Sequence, residues 1–176
     1  MTYKQNVRAR YLVTQSTRYY HGSPHDHGEQ LHVKPYGHHI GFDFGGVFLS
    51  SSKLGHMGSS GNFWYEIELA DSDILQLSDI YYSFESDPRV LKVLDQFGLN
   101  KLDEDQKETA WELLCARYHD EKDERRIFGE EDSGWTLQAV QGQIARALGY
   151  KAVELEDERG GVYLLLGPAI MQRERV

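Results

Sequence analysis

Cysteine is nearly missing from this chain. Its one copy, Cys115, rules out an internal disulfide and suits a reducing compartment. Long apolar runs are missing too. No stretch approaches the ~18 residues of a membrane-spanning helix, and the first residues lack the pattern of a secretory signal. A soluble, cytoplasmic protein is the expectation. Positive charge is scarce: 19 Lys plus Arg stand against 28 Asp plus Glu, a formal net charge of −9. Such a surface repels a phosphate backbone, which argues against non-specific nucleic-acid binding but leaves room for a local basic site. There is no internal repeat, no low-complexity segment and no GxGxxG. The Gly/Ser-rich stretch 55–61 lacks the Gly-Lys-Ser/Thr ending of a phosphate-binding loop.

What is present is clearest in the last quarter. Leu137, Val140, Ile144 and Leu148 recur at helical spacing, and Gly149 stands where a left-handed residue would end the helix. Val153 and Leu155 then alternate with Glu154 and Glu156, the period of a half-buried strand. Glu158-Arg159-Gly160-Gly161 reads as a turn, and Val162–Leu166 as a more apolar returning strand. If the first strand persists to the turn, Asp157 continues the face of Val153 and Leu155, while Glu154, Glu156 and Glu158 continue the wet face. A carboxylate ending an apolar face is costly unless paired or used. The competing reading is an acidic cluster that merely solvates a turn.

Upstream, Tyr11-Leu12-Val13 suggests a strand or ordered arm. Tyr19–Ser23 reads as a short strand stopped by Pro24, and His21 to His39 as a polar loop holding six of the eight histidines. The spacing His21-x3-His25-x-His27 matches no standard zinc ligand set, so no metal is expected. Gly41–Gly46 is a connector, Val47–Ser52 a buried strand ending in hydroxyls, and Phe63–Leu69 an alternating strand; Asp73–Leu77 is read as another short strand. Asp87-Pro88 marks a helix start, with Val90, Leu91, Leu94 and Phe97 as its expected buried stripe. A second helix is expected over 103–118, and His119–Gly134 reads as an exposed charged connection. Trp135 reads as a core anchor. The fold class is therefore α+β. One domain spans residues 1–176, with 1–18 as an N-terminal arm and 85–134 as a helical insertion plus charged connector.

Three of these segments, taken in order, resemble the ADP-ribosyltransferase fold, a split β-sheet core here carrying an inserted helical pair: Tyr20-His21-Gly22-Ser23, Gly46–Ser51, and the acidic turn before the last apolar strand. The resemblance narrows further. His21–Pro24, Phe48-Leu49, Tyr65–Ile67, Asp71–Ile74, Trp135–Ala139, Leu148–Tyr150 and Asp157–Gly160 are together similar to phage anti-CRISPR ADP-ribosyltransferases that act on type I-F surveillance complexes.

That resemblance implies transfer of ADP-ribose from NAD, the co-substrate, to a side chain of a host protein, an asparagine of a Cas subunit in the known case. It implies that Asp157 is the catalytic carboxylate, with Glu158 as the alternative one residue on. His21 would hold the adenosine ribose, with Gly22 and Ser23 allowing close backbone approach. Phe48 would pack on nicotinamide, and Ser50 and Ser51 would help hold ribose or amide. Gln138 either faces the cleft or caps a neighbour. Two departures bear on the acceptor. The common His-Tyr-Glu pattern has Tyr where Phe48 stands. Phe48–Ser52 and Glu156-x-Glu158 also look like segments of arginine-modifying toxins, although those use Arg in place of His21. A toxin or effector with another target, a non-catalytic acidic binding inhibitor, and a metal-dependent hydrolase on the histidine loop are the alternative readings.

Overall fold

The computed structural model describes residues 16–34, 38–39, 42–43, 45–53, 62–116, 120–157 and 160–174. The stretch Tyr11–Val13, the Gly55–Gly61 loop, Tyr118 and Glu158 lie outside the described residues. The first strands are β1 (Ser16–Ser23), β2 (Gln30–Val33), β3 (His38–His39), β4 (Phe42–Asp43), β5 (Gly46–Leu49), β6 (Phe63–Ala70) and β7 (Ile74–Leu75). Among the described residues five α-helices follow: α1 (Leu77–Ser83), α2 (Pro88–Gln96), α3 (Glu104–Leu114), α4 (Glu121–Phe128) and α5 (Ser133–Leu148). The chain ends on β8 (Ala152–Asp157), β9 (Gly160–Leu166) and β10 (Ala169–Arg173). Among the described residues no helix is long and apolar enough to cross a membrane.

Two four-stranded sheets form the β core. The first has the order β1-β6-β10-β2, the second β5-β9-β8-β7. All pairs are antiparallel except β7 with β8. The second sheet is the middle layer. From β9, Tyr163 and Leu165 join the cluster shared with the first sheet, which includes Tyr19, Leu31, Tyr65, Leu69 and Met171. Leu164 and Leu166 point the other way, into a larger cluster with the helices. A strand covered on both faces must be apolar throughout, which explains the run Val162–Leu166. Burying each such Leu or Val contributes roughly 1.5–3 kcal/mol.

The helix starts come from local chemistry. Asp87 Oδ1 accepts from the Arg89 N–H at 2.9 Å, with Pro88 in the first turn. Asp103 and Gln106 form a reciprocal capping box at 2.9 and 3.2 Å. Gly149 at φ 93° ends α5 in the left-handed conformation, as expected.

Several sequence expectations are corrected. The histidine-rich stretch is not all loop: β2 lies within it, with Leu31 and Val33 buried on alternate positions. The two expected middle helices are present as α2 and α3, but α1 precedes them, taking over Leu77 from the expected strand. The supposed charged connector contains α4, whose Glu124, Ile127 and Phe128 are buried. On α2 the buried side is Val90 and Val93, whereas Leu91 is 49% and Phe97 39% exposed. The stripe is rotated because α2 packs on α5. Glu154 does not face open solvent. It shares the side of fully buried Ala152, in the layer between the sheets, and accepts a hydrogen bond from the Tyr163 hydroxyl at 3.3 Å. Finally, the chain does not close on the β8–β9 hairpin. β10 crosses back to pair with β2 and β6 in the first sheet.

Candidate active site

Among the described residues, one backbone bridge joins the two sheets. Tyr20 of β1 and Ser50, just beyond β5, exchange backbone hydrogen bonds of 2.9 and 3.0 Å as an isolated bridge. One residue on, the ladder is replaced by a side chain: His21 Nδ1 lies 2.9 Å from the Phe48 carbonyl oxygen. A carbonyl only accepts, so Nδ1 carries the proton and donates. The imidazole thus ties β1 to β5 where the sheets diverge.

The segment after His21 is pinned in place. Gly22 and Ser23 are buried. Ser23 Oγ is 3.0 Å from His27 Nε2 and accepts the His25 N–H at 3.1 Å. The His27 N–H donates to the Tyr65 hydroxyl at 2.7 Å, and that hydroxyl donates to the Gly28 carbonyl at 3.5 Å. Ser23 therefore shapes the turn, and the histidines drawn earlier as a metal pattern are absorbed into it. Among the described residues no group of three or more His, Cys, Asp or Glu is placed to hold a metal ion. Ser50 is buried, its hydroxyl donating to the Ser52 carbonyl at 2.7 Å, while Ser51 is exposed.

Phe48 projects to the helix side of the middle sheet and meets Trp135 edge-to-face, with ring centroids 5.9 Å apart at 66°. Trp135 and Gln138 stand one turn apart on α5 and so share a face. Gln138 Oε1 is buried and accepts no hydrogen bond from any described residue. Two anchors fix this part of the molecule. Ser133, first residue of α5, donates through Oγ to the buried carboxylate of Glu124 at 2.8 Å. Arg146 Nη2 donates to the Gly45 carbonyl at 2.5 Å, tying α5 to the start of β5. A Cβ at Gly46 would fall 2.1 Å from the Leu165 carbonyl oxygen, so β5 runs against β9 closely enough to require glycine there.

Asp157 is the last residue of β8 and pairs with Gly160. It has the strand parity of Val153 and Leu155. In the ladder Phe48 pairs with Leu164, which pairs with Val153; Asp157 is four rows on, about 13 Å along the strands. The connection from α5 to β8 takes only residues 149–151, so the helix runs back over the strand it feeds. His21, Phe48 and Ser50 thus gather at the split between the sheets, and α5 brings Trp135 and Gln138 over it.

Trp135 packs against the helix-side core, in line with its reading as a core anchor. One contributor is not legible in the sequence. Glu124 sits in a block of charges that carries no sign of burial.

The electrostatics around the middle sheet are those of a drying interior. Burial pushes the Tyr163 phenol well above its ordinary range, reinforced by the Glu154 carboxylate, and burial likewise raises Tyr19.

Two four-stranded sheets, joined among the described residues by one backbone bridge, together with five α-helices fit an ADP-ribosyltransferase-like α+β fold. Family comparison agrees. The chain belongs to the anti-CRISPR type I-F ADP-ribosyltransferase AcrIF11 family, whose model matches residues 17–173. It is also similar to a solved structure described as the crystal structure of an anti-CRISPR protein, at 25% identity and a TM-score of 0.57. That similarity covers 92% of this chain and 97% of the other. No curated protein matches the chain.

Proposed function

We propose that the protein cleaves NAD and transfers ADP-ribose to a side chain of a host protein, inactivating a type I CRISPR–Cas surveillance complex. Family membership supports the reaction class. The observation that supports the reading is the His21–Phe48 junction, where the imidazole bonds the Phe48 carbonyl and the Phe48 ring meets Trp135. These residues fit a dinucleotide ending in a flat heteroaromatic ring.

When bound, NAD supplies an ADP-ribosyl group whose leaving group is nicotinamide. Asp157 would stabilise the positive charge that develops at the ribose as that bond breaks; a preplaced carboxylate in a poorly hydrated site is effective at this. It would also accept a hydrogen bond from the ribose 2-hydroxyl, as carboxylates do in glycosidases with a similar transition state. Glu158 is the fallback one residue away. His21, oriented by the Phe48 carbonyl, would bind the adenosine ribose, with Gly22 and Ser23 keeping the backbone close. Phe48 would pack on the nicotinamide ring, Ser50 and Ser51 would hold ribose or amide, and Gln138 would line the cleft.

The test is incubation of purified type I-F surveillance complex with the protein and isotopically labelled NAD, followed by intact-mass analysis of each subunit. A subunit gaining the mass of one ADP-ribose supports the proposal. Inhibition of the complex with no label on any subunit overturns it in favour of a binding inhibitor.

A further inference from the structure

We infer that Gln138 is the specificity-determining residue for the base of NAD, reading its carboxamide through Oε1. This deepens the proposed function and rests on it.

Gln138 Oε1 is a buried carbonyl oxygen with no donor among the described residues, although it sits in a helix whose other buried amide is satisfied. Gln141, three residues on, donates from Nε2 to the Leu114 carbonyl at 3.0 Å. An unpaired buried acceptor lowers stability, and a bound group that donates to it removes that cost. What it needs is an N–H donor.

The surroundings narrow the class of donor. Trp135 lies one turn before Gln138 on the same face of α5, its ring against Phe48. Aromatic walls favour a flat ring, and more so a cationic one, which is attracted to their π faces. An acceptor oxygen favours a ring that carries an N–H group. The pyridinium carboxamide of NAD combines all three properties. Adenine offers an amino group but no positive charge, which makes it the poorer match to this corner. A site built to bond an N–H discriminates strongly against an analogue that lacks one, because the buried partner is then left unpaired.

The experiment compares wild type with Gln138→Met, which keeps the volume and removes the polar atoms. Each is titrated calorimetrically with NAD and with nicotinic acid adenine dinucleotide, whose carboxylate has no N–H to give. The melting temperature of the ligand-free protein is measured alongside. Wild type should prefer NAD by at least about a hundredfold, and Gln138→Met should bring that ratio close to one. The ligand-free variant should melt at the wild-type temperature or higher, since an unpaired buried carbonyl has been removed. A variant that keeps the wild-type preference, or that loses affinity for both dinucleotides equally, overturns the assignment while leaving NAD use standing. A clear fall in the ligand-free melting temperature also overturns it, by making Gln138 a structural residue. Wild type that binds neither dinucleotide overturns this inference and the NAD reading together.

Discussion

His21 Nδ1 and the Phe48 carbonyl oxygen, 2.9 Å apart, join β1 to β5 one residue beyond the only backbone bridge seen between the two sheets among the described residues. The bond sets the tautomer of a neutral imidazole, with the proton on Nδ1. Long-range ¹H–¹⁵N correlation spectra should therefore show Nδ1 protonated. His21→Ala should cost about 1 kcal/mol of stability and weaken NAD binding about tenfold. A proton on Nε2 in the neutral ring contradicts the assignment.

Gly46 tests the placement of β5. With 2.1 Å between its would-be Cβ and the Leu165 carbonyl, Gly46→Ala must push the strand away from β9. A loss of about 1–3 kcal/mol is expected in urea unfolding, typical of overpacking in a well-packed interior. NAD affinity should fall as well, because β5 carries Phe48. Unchanged stability shows that β5 is not held against β9 in this way.

Glu124 tests the hold on α5. Removing a buried carboxylate leaves the Ser133 hydroxyl without its acceptor. Glu124→Ala should cost about 1–3 kcal/mol, and hydrogen exchange should quicken in the first turn of α5. Glu104→Ala, on the exposed side of α3, is the control and should change stability little.

Tyr163 sets the alkaline limit. Its phenol is raised above the ordinary value of 10.0 by burial first and the Glu154 charge second. The unfolded phenol ionises near that ordinary value while the folded one stays protonated. The contribution is thus whole below about pH 10 and is lost as pH rises toward the folded pKa. Tyr163→Phe should flatten the fall in stability above pH 10 and, through the lost bond to Glu154, lower stability at neutral pH by about 1 kcal/mol. An identical alkaline limb in the variant contradicts this.

Local chemistry made part of this structure readable in the sequence. Asp87-Pro88 and Gly149 mark helix ends because caps act within a few residues, and the alternation in Phe63–Leu69 reports a strand with unlike faces. The parts that resisted depend on partners far along the chain. Leu91 and Val93 are equally apolar, and only the packing of α2 on α5 decides which is buried. Glu124 looks like its neighbours until Ser133 is brought beside it. The return of β10 to the first sheet leaves no periodic signal in five mixed residues. In the candidate site, His21 and Phe48 stand out through resemblance, but the bond between them, and the facing of Trp135 against Phe48, are tertiary facts.

The acidic end of β8 holds the central claim. Its register runs through Asp157 paired with Gly160, which keeps Asp157 on the parity of Val153 and Leu155. The direct measurement is NAD-dependent labelling of purified type I-F surveillance complex by wild type, Asp157→Ala and Glu158→Ala, with melting temperatures recorded for each. Labelling by Asp157→Ala should fall by at least ~10²–10³ with the melting temperature kept, while Glu158→Ala stays active. Full labelling by Asp157→Ala contradicts the account.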